Sequence, residues 1–389
     1  MPISERTTLG ARHTVRLRSG ILAAGVGLAL LSGCAVPGAA EPEHATLALA
    51  FSTVAPRTAW ESTRGALITL DANGRVQETA TDGMEAMRLL AVGDTLFISD
   101  TGAEYAITPD GVTRFPRGYD EISQSSAVAW NGGFASAFNH VYGADGSYEF
   151  GLSWGDATAA QASRIRGHFG TGIRACGGEL LGIEQRLPGP TGPGEGWRTS
   201  YALQRFDVSA ATPGQHLLSE FAPESDSGPP GTAVCADDTA LLVAVTATNA
   251  AGEAVQELLV RFPVDGSPAQ AAPLVDDRGT PLLGRGTRAE SAALGSYWFV
   301  DDAGVLLRSD PVTGRTVTAA ETDYSIDGDA VARFDGEELV TVRLLDERRR
   351  VRVERWSLAE GTRLSSVSTE ISGRLPDDLA LFDALPLGH

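Results

Sequence analysis

The run Gly151-Leu152-Ser153-Trp154-Gly155 has the spelling of a nucleophile elbow, in which a strained strand-to-helix turn exposes a serine beneath a helix N-terminus. Here it closes a β-type segment with no helical pattern after it, so hydrolase chemistry through Ser153 is not expected. Gly284-Arg285-Gly286-Thr287-Arg288-Ala289 spells a dinucleotide fingerprint, but those glycines act only between the strand and helix of a βαβ unit, and the segment reads as a loop. Asp323, Asp327 and Asp329 are close together at a spacing that makes no Ca²⁺ cage. Neither a zincin motif nor an EF-hand loop occurs, and no metal or cofactor is expected.

The three cysteines offer thiol chemistry, and their positions separate two uses. Arg6, Arg12, Arg16 and Arg18 precede an uncharged apolar run from Ile21 to Leu31, the order of a secretory signal. At about eleven residues the run is short of the roughly twenty that a membrane-spanning helix needs. Leu31-Ser32-Gly33-Cys34 follows it and resembles the lipobox of bacterial lipoproteins. The resemblance implies cleavage before Cys34 and acylation of its thiol, hence a membrane-lipid anchor and an extracytoplasmic location. Cleavage at an Ala-x-Ala-like site near Ala39 is the competing reading. The expected organisation is a signal peptide at 1–33, a short Pro-containing tether at 34–44 and a folded domain at 45–389. Cys176 and Cys235 are then an even remainder in an oxidising compartment, where one disulfide is the natural outcome; two unpaired buried thiols are the alternative. Neither has a second Cys or His at metal-ligand spacing.

The chain of 389 residues is 42% hydrophobic and 21% charged, enough apolar material for a large core. All 31 basic residues are Arg, a lysine-free composition in keeping with a GC-rich bacterial genome, and against 50 acids they leave a net charge of −19. A strongly acidic chain repels phosphate backbones, which disfavours nucleic acid as a partner.

From residue 45 onward, short apolar or alternating runs are separated by Gly, Asp, Asn and Pro, and no amphipathic helix of useful length appears, a pattern that reads as all-β. A unit of four strands recurs. Its first tight turn aligns near Gly93, Gly132, Gly177, Asp237, Gly295 and Gly336, at intervals of 39, 45, 60, 58 and 41 residues. Its second recurs as LDANGRV, TPDGV, PVDGS, PVTGR and LAEGT, where Asn-Gly and Asp-Gly suit the positive φ of two-residue hairpins. DDLALFDAL (Asp377 to Leu385) resembles the opening strand of the unit before it, while TLALAFS, GALITL and RVQETA supply three strands without an opening one. Together they predict a seventh unit, closed by the C-terminus. The chain therefore resembles a seven-bladed β-propeller, quinoprotein-like or NHL-like in general architecture. Six blades plus an extra sheet is the alternative. Neither the Trp-Asp signature of WD40 blades, nor kelch double glycines, nor the Asp-box of sialidases is present.

In such a ring the connections between blades, and between second and third strands, leave from one end; the two tight turns leave from the other. The first set is long here and includes RLPGPTGPGEGWRTS and DDRGTPLLGRGT, whereas the second is mostly two to five residues. Long loops on a rigid scaffold predict a binding face, carrying Trp60, Tyr119, His140, Tyr142, His168, Trp197, Arg198, Arg278 and Tyr324. The opposite turns look too short to shape a pocket. The run Arg343 to Arg355 is the one basic patch, read as a solvated hairpin with Asp346 and Glu347 in its turn and cross-strand acids absorbing its charge. The functional expectation is a lipid-anchored binding or scaffold protein that engages a protein or cell-wall ligand through the loop face. One alternative is an extracytoplasmic propeller enzyme, a glycan lyase or hydrolase with His140 or His168 as base and a loop Arg balancing developing charge. The other is a small-ligand sensor for a membrane transporter, for which a ligand on the axis would speak.

Overall fold

The computed structural model describes residues 45–53, 63–142, 147–186, 199–210, 213–223, 226–249, 251–283, 287–325 and 329–387. Every regular element among them is a β-strand, and among them no helix is long and apolar enough to cross a membrane. Seven antiparallel sheets stand in a ring. Blade 1 joins Ala380–Pro386 to Ala45–Ser52, Gly65–Asp71 and Val76–Thr81. Blades 2, 3 and 4 begin at their inner strands Leu89–Val92, Ser123–Trp130 and Ile173–Cys176; blades 6 and 7 begin at Thr287–Ala293 and Ala330–Asp335. Closure is the one expected: Leu47 pairs with Pro386 and Ser52 with Ala380, so the last strand of the chain is the innermost of the first blade. Each inner strand also touches the inner strands on both sides of it, all the way round. This rules out the six-bladed alternative and leaves no exposed sheet edge at the axis.

Both faces of each blade are covered by neighbours, which is why the second and third strands are near-continuous apolar runs rather than alternating ones. Ala48, Leu49, Ala50 and Phe51 are all fully buried. In contrast, the outer strand Thr362–Glu370 of blade 7 is exposed along nearly its whole length. The core is thus a set of apolar layers between blades, such as Leu49, Phe51 and Ile68 of blade 1 against Val340 and Val342 of blade 7. Each fully buried large side chain contributes about 1.5–3 kcal/mol.

The tight turns behave as their sequences require. Consecutive left-handed residues occur at Asn131-Gly132, Gly177-Gly178 and Leu294-Gly295, the backbone of a two-residue hairpin whose twist matches that of the strands. In the outer turns an Asp does the work. The Asp71 carboxylate accepts the amides of Asn73 (2.8 Å) and Arg75 (2.9 Å), and that of Asp310 accepts those of Val312 and Thr313. These bonds to the charged form hold both carboxyls below the usual range. Gly74 is required for a further reason: at φ 73° its Cβ would lie 1.8 Å from the Glu370 carbonyl, where blade 1 meets blade 7.

Blade 5 departs from the expected boundaries. Its inner strand is in two pieces, Asp226–Pro230 and Val234–Ala236, both paired with Ala240–Thr248. The stretch read as the loop APESDSGPPG is therefore partly strand. Pro230 is tolerated because this is an edge strand, and the register breaks between Ser227 and Pro230. Cys176 and Cys235, at the ends of the inner strands of blades 4 and 5, form the expected disulfide with Cα atoms 5.4 Å apart.

Candidate functional site

The expected acylation site Cys34 lies outside the described residues, as do Trp60, Trp197 and Arg198 of the predicted binding face, and of His140 and Tyr142 only the strand position is described. The others are not brought together. The half-buried Tyr119 donates its hydroxyl to the Ser163 carbonyl (3.1 Å), with the Arg164 guanidinium 4.6 Å over its ring. His168 meets the Tyr148 ring edge-on at 4.4 Å, and burial lowers its pKa. Arg278 is exposed in a turn capped by Asp276, whose base pairs with Arg315 of the outer turn of blade 6, at the circumference. Tyr324 is a correction. It is only 7% exposed and packs with Trp298, Leu306 and Leu339 between blades 6 and 7. Its connection folds back onto the sheet, which spacing alone does not reveal.

Ser153 is no nucleophile in an elbow. It is fully buried in the strand Tyr148–Gly155 and donates to the Glu104 carboxylate. Glu104 in turn holds the Arg117 guanidinium at 2.8 Å, with side chains 3% and 1% exposed. Arg117 also donates to the carbonyls of Ala103 and Asp100 and lies 4.3 Å over the Phe138 ring. Burial pushes the Glu104 carboxyl up, against the opposing pull of Arg117, Ser153 and Ser99. This network fastens the connection between blades 2 and 3. Nearby Glu121 is pushed up to about 8 by burial, with Arg164 3.8 Å away. The sequence signal for such a pair was a charge inside the apolar run AEYAIT.

The axis holds a second set of charges that the loop argument missed. Arg333 of blade 7 donates to the Leu89 carbonyl of blade 2 (2.9 Å), reaching past the inner strand of blade 1, whose Asp383 sits 3.4 Å from the same guanidinium nitrogen and accepts the Leu89 amide at 2.8 Å. The Arg88 amide donates to Gln124 of blade 3 (2.8 Å). Arg174 and Glu290 stand on the inner strands of blades 4 and 6, and Thr232, between the two pieces of the inner strand of blade 5, interacts with Glu290. Desolvation dominates both: Glu290 is pushed up to about 7 and Arg174 down to about 10. A polar residue thus stands on or beside the inner strand of each of the seven blades, and the signal was a lone polar residue in inner strands such as GIRAC, VARFD and LFDAL.

Each end of the ring also bears a cavity. At the loop end, one of about 460 Å³ is lined by Glu347, Arg348, Arg349, Gly373, Arg374 and Asp377. It borders the basic hairpin, where Asp346, Glu347 and Arg348 are all left-handed (φ 53°, 54° and 63°). Such strain persists only where surroundings impose it, and Arg348 is pinned by both Asp329 oxygens and by the Pro376 carbonyl. The expected pairing of the basic run with acids is present in Arg350–Asp346 and Arg355–Glu338, whereas Glu354 pairs with Arg363 of the outer strand, outside the run. At the turn end, Trp130, Glu179, Arg205, Phe206 and His216 line a cavity of about 430 Å³. The turns there are short, yet turns of blades 3 and 4 together enclose what neither could alone, so the expectation of no pocket at this end was wrong.

A family model described as "YycP, beta-propeller domain" matches residues 43–173, from the first strand of blade 1 to the start of blade 4. No curated protein matches. Among solved structures, apo AztD from Citrobacter koseri is similar over 87% of this chain and 97% of that one, at 13% identity and a TM-score of 0.46. A mutant apocarotenoid oxygenase from Synechocystis is similar over 89% and 91%, at 10% identity and a TM-score of 0.43. Sqt1 from Saccharomyces cerevisiae is similar over 88% of each chain, at 10% identity and a TM-score of 0.40. The chain is a seven-bladed β-propeller, residues 43–173 of which match a propeller family model.

Proposed function

We propose that this protein is a lipid-anchored, extracytoplasmic binding propeller that engages a protein or cell-envelope ligand at its loop-bearing end. The observation that carries the reading is the concentration at one end of the ring of the long connections, the strained and pinned hairpin at Asp346 to Arg348, and a cavity of about 460 Å³. Strain and long loops held by a rigid scaffold are where recognition residues concentrate. The anchor rests on the order of basic segment, apolar run and Leu31-Ser32-Gly33-Cys34. Acyl chains there supply about 0.8 kcal/mol per buried methylene, and two or more make attachment stable.

The anchor is tested by fractionation. Cys34→Ser is expected to leave the precursor uncleaved or to release the protein from membranes; a processed Cys34→Ser chain that still fractionates with membranes would exclude the lipid anchor. Engagement at the loop end is read by crosslinking in cells from that end against the turn end.

A further inference from the structure

The Arg348 guanidinium is held in place by the fold itself. Its Nε and one terminal nitrogen donate to the two Asp329 oxygens at 2.6 and 2.8 Å, the other terminal nitrogen donates to the Pro376 carbonyl, and the Phe51 ring centre lies 5.4 Å from it. Only 15% of the side chain is exposed. A guanidinium carries five N–H donors, so these bonds leave one on each terminal nitrogen, and the residue lines the loop-end cavity of about 460 Å³.

That cavity lies between two segments tied to each other. One is the tip Glu347 to Arg349, between the second and third strands of blade 7; the other is Gly373 to Asp377, on the way from the outer strand of blade 7 to the last strand of the chain. The Arg349 carbonyl accepts the Ile371 amide at 2.8 Å, and the bond from Arg348 to Pro376 makes a second tie. Arg349 and Arg374 add two more guanidiniums to the lining. Arg374 is paired with Asp377 through one nitrogen only, and among the described residues the Arg349 side chain has neither an ion pair nor a hydrogen bond. The acids of the lining are Glu347 and Asp377.

A lining of this kind sorts ligands by chemistry. Guanidinium N–H pairs match phosphate oxygens in bidentate fashion. A phosphate monoester, with a charge of about −1.5 to −2 and three acceptor oxygens, can serve several guanidiniums at once. The two carboxylates repel a bare anion but accept hydrogen bonds from hydroxyl groups. The volume is that of a small-molecule site, with room for an organic part beside the phosphate.

We propose that this cavity binds a phosphate ester of a polyol, its phosphate on Arg348, Arg349 and Arg374 and its hydroxyls on Glu347 and Asp377. This gives the chemistry of the cell-envelope ligand in the loop-end reading above, on which it rests.

Calorimetric titration of the detergent-solubilised full chain tests it, with glycerol 3-phosphate, glycerophosphoglycerol, inorganic phosphate and glycerol as probes. At least one of the two esters is expected to bind about tenfold or more tightly than inorganic phosphate, because hydroxyl bonds to charged acceptors add to the phosphate contacts. Glycerol alone should not bind. Tighter binding of glycerol 3-phosphate identifies a soluble monoester as the source, and tighter binding of glycerophosphoglycerol identifies a lipid headgroup. Arg349→Gln and Arg374→Gln, both at exposed positions, should each weaken ester binding about tenfold, with thermal melting verifying that the variants fold. Glu347→Gln should reduce the preference for the ester over inorganic phosphate. Absence of saturable binding by both esters, equal binding of inorganic phosphate, or wild-type affinity in folded Arg349→Gln and Arg374→Gln would overturn the proposal. Partner crosslinks from the loop end combined with no ester binding would reject this chemistry and leave the loop-end reading in place.

Discussion

Replacing Glu104 by Ala is expected to destabilise the fold by about 3–5 kcal/mol, because it strands the Arg117 guanidinium as an unpaired charge in the interior. The Arg117 side chain is 1% exposed, and its remaining acceptors are the neutral carbonyls of Ala103 and Asp100. Ser99 and Ser153 lose their acceptor in the same step. Glu104→Gln keeps an acceptor but not the charge, and should fall between the wild type and Glu104→Ala. Urea unfolding measures both. A loss below about 1 kcal/mol for Glu104→Ala would mean that water or a rearranged acid replaces the pair, and the network would not be what fastens blade 2 to blade 3.

Removing the disulfide is expected to cost about as much by a different route. Cys176 and Cys235 are separated by 59 residues, and in the chain-entropy model closing a loop of that size restricts the unfolded chain by about 4 kcal/mol. The bridge also ties together the ends of the inner strands of blades 4 and 5. The Cys176→Ser, Cys235→Ser double variant should unfold at clearly lower denaturant than the oxidised wild type, and close to the reduced wild type. Peptide mapping of denatured, unreduced protein should yield a single linked pair. Two freely alkylated thiols would show that the bond does not form.

What could be read from the sequence was the local and repeating part of the structure. Turn chemistry is local, so Asn131-Gly132 and the Asp71 and Asp310 turns could be placed from residue types alone, and with them the blade periods and the ring closure by Asp377 to Leu385. Contacts that depend on how blades lean on one another were not legible. The partners Glu104 and Arg117 lie in different segments, and only the strand register and the fold-back of the connection bring them together. Tyr324 reads as a loop aromatic, yet its connection turns inward over Trp298. The polar residues of the inner strands come about one per blade, so no window of sequence contains more than one of them. The turn-end cavity is built from turns of two blades, and the brevity of each turn pointed the wrong way.

The central claim, that recognition belongs to the loop-bearing end, is tested most directly by crosslinking in cells from photoreactive residues placed singly at exposed positions of each end. Glu347 and Gly252 lie in connections between second and third strands, and Asp94 and Asp237 in turns between first and second strands. The account predicts adducts with a specific partner from Glu347 or Gly252 and none from Asp94 or Asp237. Adducts confined to Asp94 and Asp237 would contradict it and move recognition to the end that carries the Trp130 and His216 cavity.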